Sequence, residues 1–245
     1  MIFGKKTGIK EDVKKYSKGD SLSYTLGMSL TIEALRQRPS LLEKVFLSSR
    51  AHDNAFLAEL KKLCQENHVP LTVDDSVLHH LSVKENCFAI GLFRIEEEEL
   101  QPGRHILLKG FADEGGLGTC LRSAVSFDQH DIALIGCTAD LYDPRCVRAS
   151  MGAYFHCRIR SFDTLDDYRR AFPQQHCYVL HSCEGEELSS FLPQEPYSIL
   201  LPGAYGAADS EKGEAFHIAI PQGRELPLPV YSALVLHQCY AKKKS

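Results

Sequence analysis

Apolar positions along this chain fall in two rhythms, a three-to-four-residue spacing and short unbroken runs, and the two alternate from residue 21 onwards. Thr25–Gln37 carries Leu26, Met28, Leu30, Ile32 and Leu35 at helical spacing, and His52–Gln65 sets Phe56, Leu57, Leu60 and Leu63 on one helical side. Lys44–Leu47, Pro70–Val73 and Phe88–Ile95 read as strands, and Asp75–His80 as a short helix. These elements predict a small α/β unit over residues 21–98, with a basic, poorly ordered arm before it over residues 1–20. Four consecutive acids, Glu96–Glu99, then lead into Gln101-Pro102-Gly103. A charge run followed by Pro-Gly marks a linker.

A second unit is expected over residues 104–245. Strands are predicted at His105–Phe111, Ile132–Gly136, Phe155–Ile159, Cys177–His181, Tyr197–Leu201 and Phe216–Ile220, and helices at Leu117–Phe127, Asp163–Ala171 and Val230–Lys242. Alternation of this kind predicts a mostly parallel sheet with helices on its faces. Such sheets place ligands beyond the carboxyl ends of their strands. The loops after Phe111, Gly136 and Leu201 are therefore where chemistry is expected.

Composition narrows the class without naming a function. Hydrophobic residues make up 44% and charged residues 24%, ordinary for a globular protein. No apolar run approaches the roughly 20 residues needed to span a bilayer, and the first fifteen residues lack a stretch of signal-peptide character, so a cytoplasmic protein with no membrane partner is expected. The nine cysteines show no CxxC spacing and the eleven histidines no HxxxH or HxH spacing. That pattern predicts reduced core thiols and no metal site. Net charge is −4, which speaks against a protein that coats nucleic acid indiscriminately. Local charge runs the other way at both ends, with Lys5, Lys6, Lys10, Lys14, Lys15 and Lys18 in the arm and Lys242–Lys244 at the C-terminus. Such tails either touch phosphate or keep the chain soluble.

Three segments carry candidate chemistry. Asp113–Ala124 follows a strand and opens a helix, with Gly115, Gly116 and Gly118 in its first turns. A dinucleotide GxGxxG loop would need glycine at position 121, which is Leu121. An α/β oxidoreductase is therefore weakly supported, and neither that reading nor turn chemistry explains Arg122. Asp140–Tyr154 is a short helix with Arg145 and Arg148, then Ser150 and Gly152; arginine forks suit phosphate. Ile199–Gly206, Ile218–Gly223 and Leu228–Val230 string together a strand, a glycine turn, a strand, a Pro-Gly turn and a helix.

In this order, across Phe111 to Tyr240, the three segments resemble the motifs of the SpoU/TrmH family. Pro144–Phe155 is similar to the family's Pro-Lys-x-x-Arg-x-Ser-x-Gly-Ala pattern, and Asp113, Gly118, Arg122 and Ala124 match the first motif. The N-terminal unit resembles the small ribosomal-protein-like RNA-binding domain that many members carry. The resemblance implies a trefoil-knotted C-terminal domain that dimerises with a second copy. It implies S-adenosylmethionine as cofactor and methylation of a ribose 2′-hydroxyl in rRNA or tRNA. It implies that Arg122 stands at the reacting hydroxyl. The backbone around Leu201, Gly203, Gly206, Ile220 and Leu228 would hold the adenosine, while Arg148, Ser150, Lys5 and Lys6 would lie on the RNA side.

Several motif side chains are replaced. The first motif's asparagine is Gly116, the third motif's Gly-Asn/Ser-Glu-Gly is Gly203-Ala204-Tyr205-Gly206, and the final Ser-Leu-Asn-Val is Pro227-Leu228-Pro229-Val230. Losing one oriented donor at a reacting centre costs about a hundred- to a thousand-fold in rate. Two readings follow: a methyltransferase with a remodelled site in which Glu225 or Tyr205 takes over, or a non-catalytic RNA-binding relative.

Overall fold

The computed structural model describes residues 13–82, 86–181, 185–203, 216–219 and 226–243. The N-terminal unit runs β1 (Leu22–Leu26), α1 (Met28–Gln37), β2 (Leu42–Leu47), α2 (Ala55–Glu66), β3 (Leu71–Val73), α3 (Asp75–Leu81) and β4 (Ala89–Arg94). Its sheet has the order β1-β4-β2-β3, with β4 antiparallel to both neighbours. The helix predicted from Thr25 starts only at Met28, because Thr25 and Leu26 belong to β1. Gly27, at φ 121°, makes the turn between them in a region that favours glycine. Asn54 and Asp74 accept backbone N–H bonds from the first turns of α2 and α3 and fix where those helices begin. Of the expected arm, the described part from Val13 is docked: Tyr16 donates to Asp140 Oδ2 at 2.7 Å and Lys14 pairs with Asp20 at 2.6 Å.

The C-terminal unit runs β5 (Arg104–Lys109), α4 (Glu114–Ser126), β6 (Asp131–Ile135), α5 (Pro144–Ala149), β7 (Arg158–Phe162), α6 (Leu165–Ala171), β8 (His176–His181), β9 (Glu186–Glu187), β10 (Tyr197–Pro202), β11 (Phe216–Ala219) and α7 (Leu228–Lys243). The strand order is β7-β6-β5-β10-β8-β11-β9, and every adjacent pair is parallel. All residues of β6 and of β10 are buried, as expected for strands covered on both faces. The strand predicted at Phe155–Ile159 is displaced to Arg158–Phe162. Gly152, left-handed at φ 94°, starts a 3-10 turn over Ala153–His156 that carries Tyr154 and Phe155 out of the sheet. The expected knot depends on the course of residues 204–215 and 220–225, which lie outside the described residues.

The two units share one apolar core, in which Leu35, Leu60 and Phe93 join Leu108, Phe155 and Leu201. Phe93 packs edge-on to Phe155 with ring centroids 5.2 Å apart, and Tyr154 lies 5.6 Å from the same ring. Polar contacts frame this seam. Ser23 Oγ donates to the Tyr142 carbonyl at 2.5 Å, and Arg38 donates to the carbonyls of Phe155 and Cys157 while pairing with Glu98. Glu33 meets His156 Nε2 at 2.7 Å. The edge of β1 is thus sealed by the segment around α5.

Candidate functional site

Strand order alone points to one place. From β5 the chain steps outward through β6 and β7, crosses to β8, and returns through β10, which slots between β5 and β8. The reversal puts the switch point at the carboxyl ends of β5 and β10. There Gly203 N–H donates to the Lys109 carbonyl at 2.6 Å. A Cβ on Gly203 would stand 2.6 Å from the Phe111 backbone nitrogen and 2.7 Å from the Gly110 carbonyl carbon. Only glycine lets the end of β10 lie this close to the exit of β5.

Two helices open beside this crossing. Asp113 caps α4 by accepting from Gly116 N–H at 2.5 Å. Cys120 on α4 faces Ser232 on α7, and Phe127 faces His237 and Tyr240. That register makes α4 and α7 parallel, so their first turns stand side by side at the strand ends. Pro227 offers its carbonyl to Val230 and Tyr231 N–H at 2.9 and 3.1 Å, opening α7 without a side-chain cap. Leu226 packs against the core, and Leu228 and Pro229 are half-buried beside the opening. Burial pushes the Cys120 thiol up to about 11 and the Cys146 thiol up to about 12, so neither supplies a thiolate near neutral pH.

Gly118 joins the first motif to the second. A Cβ there would lie 2.5 Å from the Cys146 carbonyl oxygen, 2.7 Å from Ala149 Cβ and 2.9 Å from Ser150 N. α4 and α5 are therefore in backbone contact, and Arg122, four residues on, shares the helix face that meets α5. Arg122 is exposed and has no ion pair or hydrogen bond from its guanidinium among the described residues. It sits about 12 Å along α4 from the first helical residue. The structure does not bring it onto the strand crossing within one chain.

The other expected site residues divide. Leu201 is fully buried and its side chain belongs to the core, so only its backbone faces the crossing. Gly203 and Leu228 border the crossing. Arg148 is exposed on α5. Ser150 needs correction as an RNA contact. It is fully buried, its hydroxyl donates to the Val147 carbonyl at 2.7 Å, and it accepts from Tyr154 N–H at 3.3 Å. It is a joint between α5 and the following turn. Arg145, the other arginine of that segment, is spent on Asp143 at 2.9 Å and Glu114 at 3.6 Å. Its bonds outweigh the burial that would raise the Asp143 carboxyl and hold it below the usual value. Lys5, Lys6, Gly206, Ile220, Tyr205 and Glu225 lie outside the described residues. Sequence periodicity put Phe56 on the core side of its helix, yet it is 56% exposed, because Leu57, Leu60 and Cys64 already complete that stripe.

Residues 103–203, from the start of β5 through Gly203, match the sequence profile of the SpoU rRNA Methylase family. Over this segment the chain is similar in sequence to the SpoU family. No curated protein matches the chain in sequence. Among solved structures, an AdoMet-bound rRNA methyltransferase from Sinorhizobium meliloti is 18% identical with a TM-score of 0.73, over 91% of this chain and 88% of that one. The SpoU methyltransferase AviRb from Streptomyces viridochromogenes, in complex with AdoMet, is 14% identical with a TM-score of 0.73, over 92% and 91%. An RNA 2′-O ribose methyltransferase is 22% identical with a TM-score of 0.69, over 91% and 89%. At these identities the likeness establishes the fold, and it spans both the unit that matches the SpoU profile and the unit before it.

Proposed function

We propose that this chain is an S-adenosylmethionine-dependent methyltransferase acting on a ribose 2′-hydroxyl of rRNA or tRNA, working as a homodimer. The observation that carries the reading is the switch-point crossing, where Gly203 lies against the Phe111 backbone within the segment that matches the SpoU profile. The fold's relatives include AdoMet-bound RNA methyltransferases. The residues present suit that cofactor. Gly203 leaves a backbone cradle that a Cβ would fill, and Leu226 and Leu228 supply apolar cover for an adenosine. When bound, the cofactor supplies an electrophilic methyl group.

The chain's own part is to hold the ribose and stabilise its oxygen. Arg122 carries a guanidinium that stays charged and cannot accept a proton at neutral pH. Its role is therefore to donate hydrogen bonds to the 2′-oxygen as negative charge develops there, leaving proton removal to another group. Since Arg122 stands away from the crossing of its own chain, it serves the crossing of a second copy. Val230 and Leu234, one turn apart on α7 and 47% and 41% exposed, give that copy an apolar face to cover.

Transfer of tritium from labelled S-adenosylmethionine to total RNA from cells lacking this protein tests the reading. Incorporation into alkali-resistant dinucleotides, the product of a blocked 2′-hydroxyl, is expected. Arg122→Ala should lower the rate about a hundred- to a thousand-fold while cofactor affinity in calorimetry is kept. No transfer to any RNA pool would overturn it. One observation favours a second reading, an RNA-binding relative without catalysis. α7 opens on Pro227 and Pro229, and proline brings neither a side-chain donor nor an N–H where the family has serine and asparagine. RNA binding without detectable cofactor binding would select it.

A further inference from the structure

We propose that the seam between the two units is a binding surface for single-stranded RNA, where Arg148 and Arg50 hold phosphates and Phe56 with the His52–Phe88 pair stacks on bases. The proposal rests on RNA being the substrate and adds where the strand lies. Among the described residues, Arg50, Arg122 and Arg148 are the arginines without an ion pair; the others are spent on carboxylates. Phosphate needs cations that are not already neutralised.

Two of the three converge on one short strand of backbone. Arg148 on α5 stands close enough to Cys87 for its charge to favour that thiolate against a larger opposing effect of burial. On the next residue, the Phe88 ring meets His52 edge-on at 6.0 Å, and its carbonyl accepts from Ser48 N–H at 2.9 Å. Arg50 N–H binds Ser48 Oγ at 3.2 Å, which fixes the loop that presents Arg50 and His52, both exposed. Asp75, a carboxylate that feels the Arg50 charge, is already taken by Ser48 Oγ at 2.7 Å and Ser49 N–H at 3.0 Å.

The other flank is apolar. Met151 lies just past the end of α5, tied back to Arg148 by its N–H donating to the Arg148 carbonyl at 3.0 Å, at φ 51° and 59% exposed. It shares a groove with Phe56, itself 56% exposed, across the seam from the C-terminal unit. Two acids border the groove, but Glu33 is held by His156 at 2.7 Å and by Arg36 at 3.5 Å, and Glu59 by Arg36 at 2.5 Å. Unpaired guanidinia beside exposed flat rings are the chemistry of splayed, unstacked nucleotides. A duplex hides its base faces and would leave Phe56 and Met151 against sugar and phosphate.

The test is fluorescence anisotropy with a labelled 15-nucleotide mixed-sequence RNA and its duplex, over a series of salt concentrations, using the full chain. The single strand should bind more tightly than the duplex. Arg50→Glu with Arg148→Glu should weaken binding at least tenfold and flatten the salt dependence, since each lost phosphate contact removes about 0.7 from the logarithmic slope. Arg148→Lys should restore slope to the Arg148 site. Phe56→Ala should cost about five- to a hundred-fold with the slope unchanged, the worth of one stacked base. Lys61→Glu, exposed further along α2, should change neither. Affinities within twofold of wild type in both the charge-reversed and Phe56→Ala chains, or a duplex bound as tightly as the strand, would overturn the surface. Calorimetry with S-adenosylmethionine on the same proteins separates the two readings. Cofactor binding retained with RNA effects absent sinks the surface alone, whereas RNA effects present without any cofactor binding sink the enzyme and leave the surface standing.

Discussion

Gly118→Ala probes the joint on which both motifs depend. The added Cβ would sit 2.5 Å from the Cys146 carbonyl oxygen, against the 3.4 Å at which ordinary contact begins. α4 and α5 would have to part by about 1 Å at that point, or strain in place. Overpacking of this kind costs about 1–3 kcal/mol. The upper half of that range applies, because two of the three obstructing atoms are backbone and cannot rotate away. Replacing a mid-helix glycine by alanine returns about 1 kcal/mol through helix propensity. The net loss is about 1–2 kcal/mol, which for a chain of this length lowers the melting temperature by about 2–8 °C. Calorimetry or circular dichroism on purified protein reads it directly. Gly115→Ala is the control, since the nearest obstacle there is the Asp113 side chain at 3.3 Å. A Gly118→Ala protein melting at or above wild type would refute the claim that these helices touch through their backbones.

Two further outcomes follow from side chains already placed. Ser150→Ala removes a donor to Val147 and leaves the Tyr154 N–H without its buried acceptor, so stability should fall by about 1–3 kcal/mol in denaturant titration, with RNA affinity in the folded protein unchanged. A drop in RNA affinity without a drop in stability would restore Ser150 as a contact. His105 is buried between the Tyr168 hydroxyl and the Gln101 carbonyl, each at 2.7 Å, and burial holds its imidazole below the usual value of 6.5. The unfolded chain therefore takes up a proton before the folded one. Stability from this residue is complete above pH 6.5 and drains away as pH falls from there through the lower folded value. His105→Gln should flatten that part of the melting-temperature profile; an unaltered slope between pH 5 and 7 would count against it.

Much of the fold was legible because its parallel strands are unbroken apolar runs. The same logic failed where buried positions are polar. β1 reads Leu-Ser-Tyr-Thr-Leu, and its Ser23 and Thr25 are fully buried with their hydroxyls satisfied by Tyr142 and by Thr31. Tyr142 lies 119 residues away, so no local pattern announces that partnership. The strand after the middle motif slipped by three residues for a related reason: Tyr154 and Phe155 look like strand residues but pack across the seam onto Phe93. At the site, Gly118 and Gly203 were legible as motif glycines, yet their purpose is distance, and distance is visible only in three dimensions. Ser150 looked like chemistry because serine is polar; it serves as a hinge pin.

The aromatic seam also bears on how this molecule can be taken apart. A C-terminal half expressed without residues 13–98 would present Tyr154 and Phe155 bare to water, and the front half would present Phe93 and an open strand edge. Each fragment would carry a sticky face matched to nothing but the other. The leading module cannot be exchanged while the α5 segment stays as it stands: a chimera joined at the acidic linker would inherit a lock without its key.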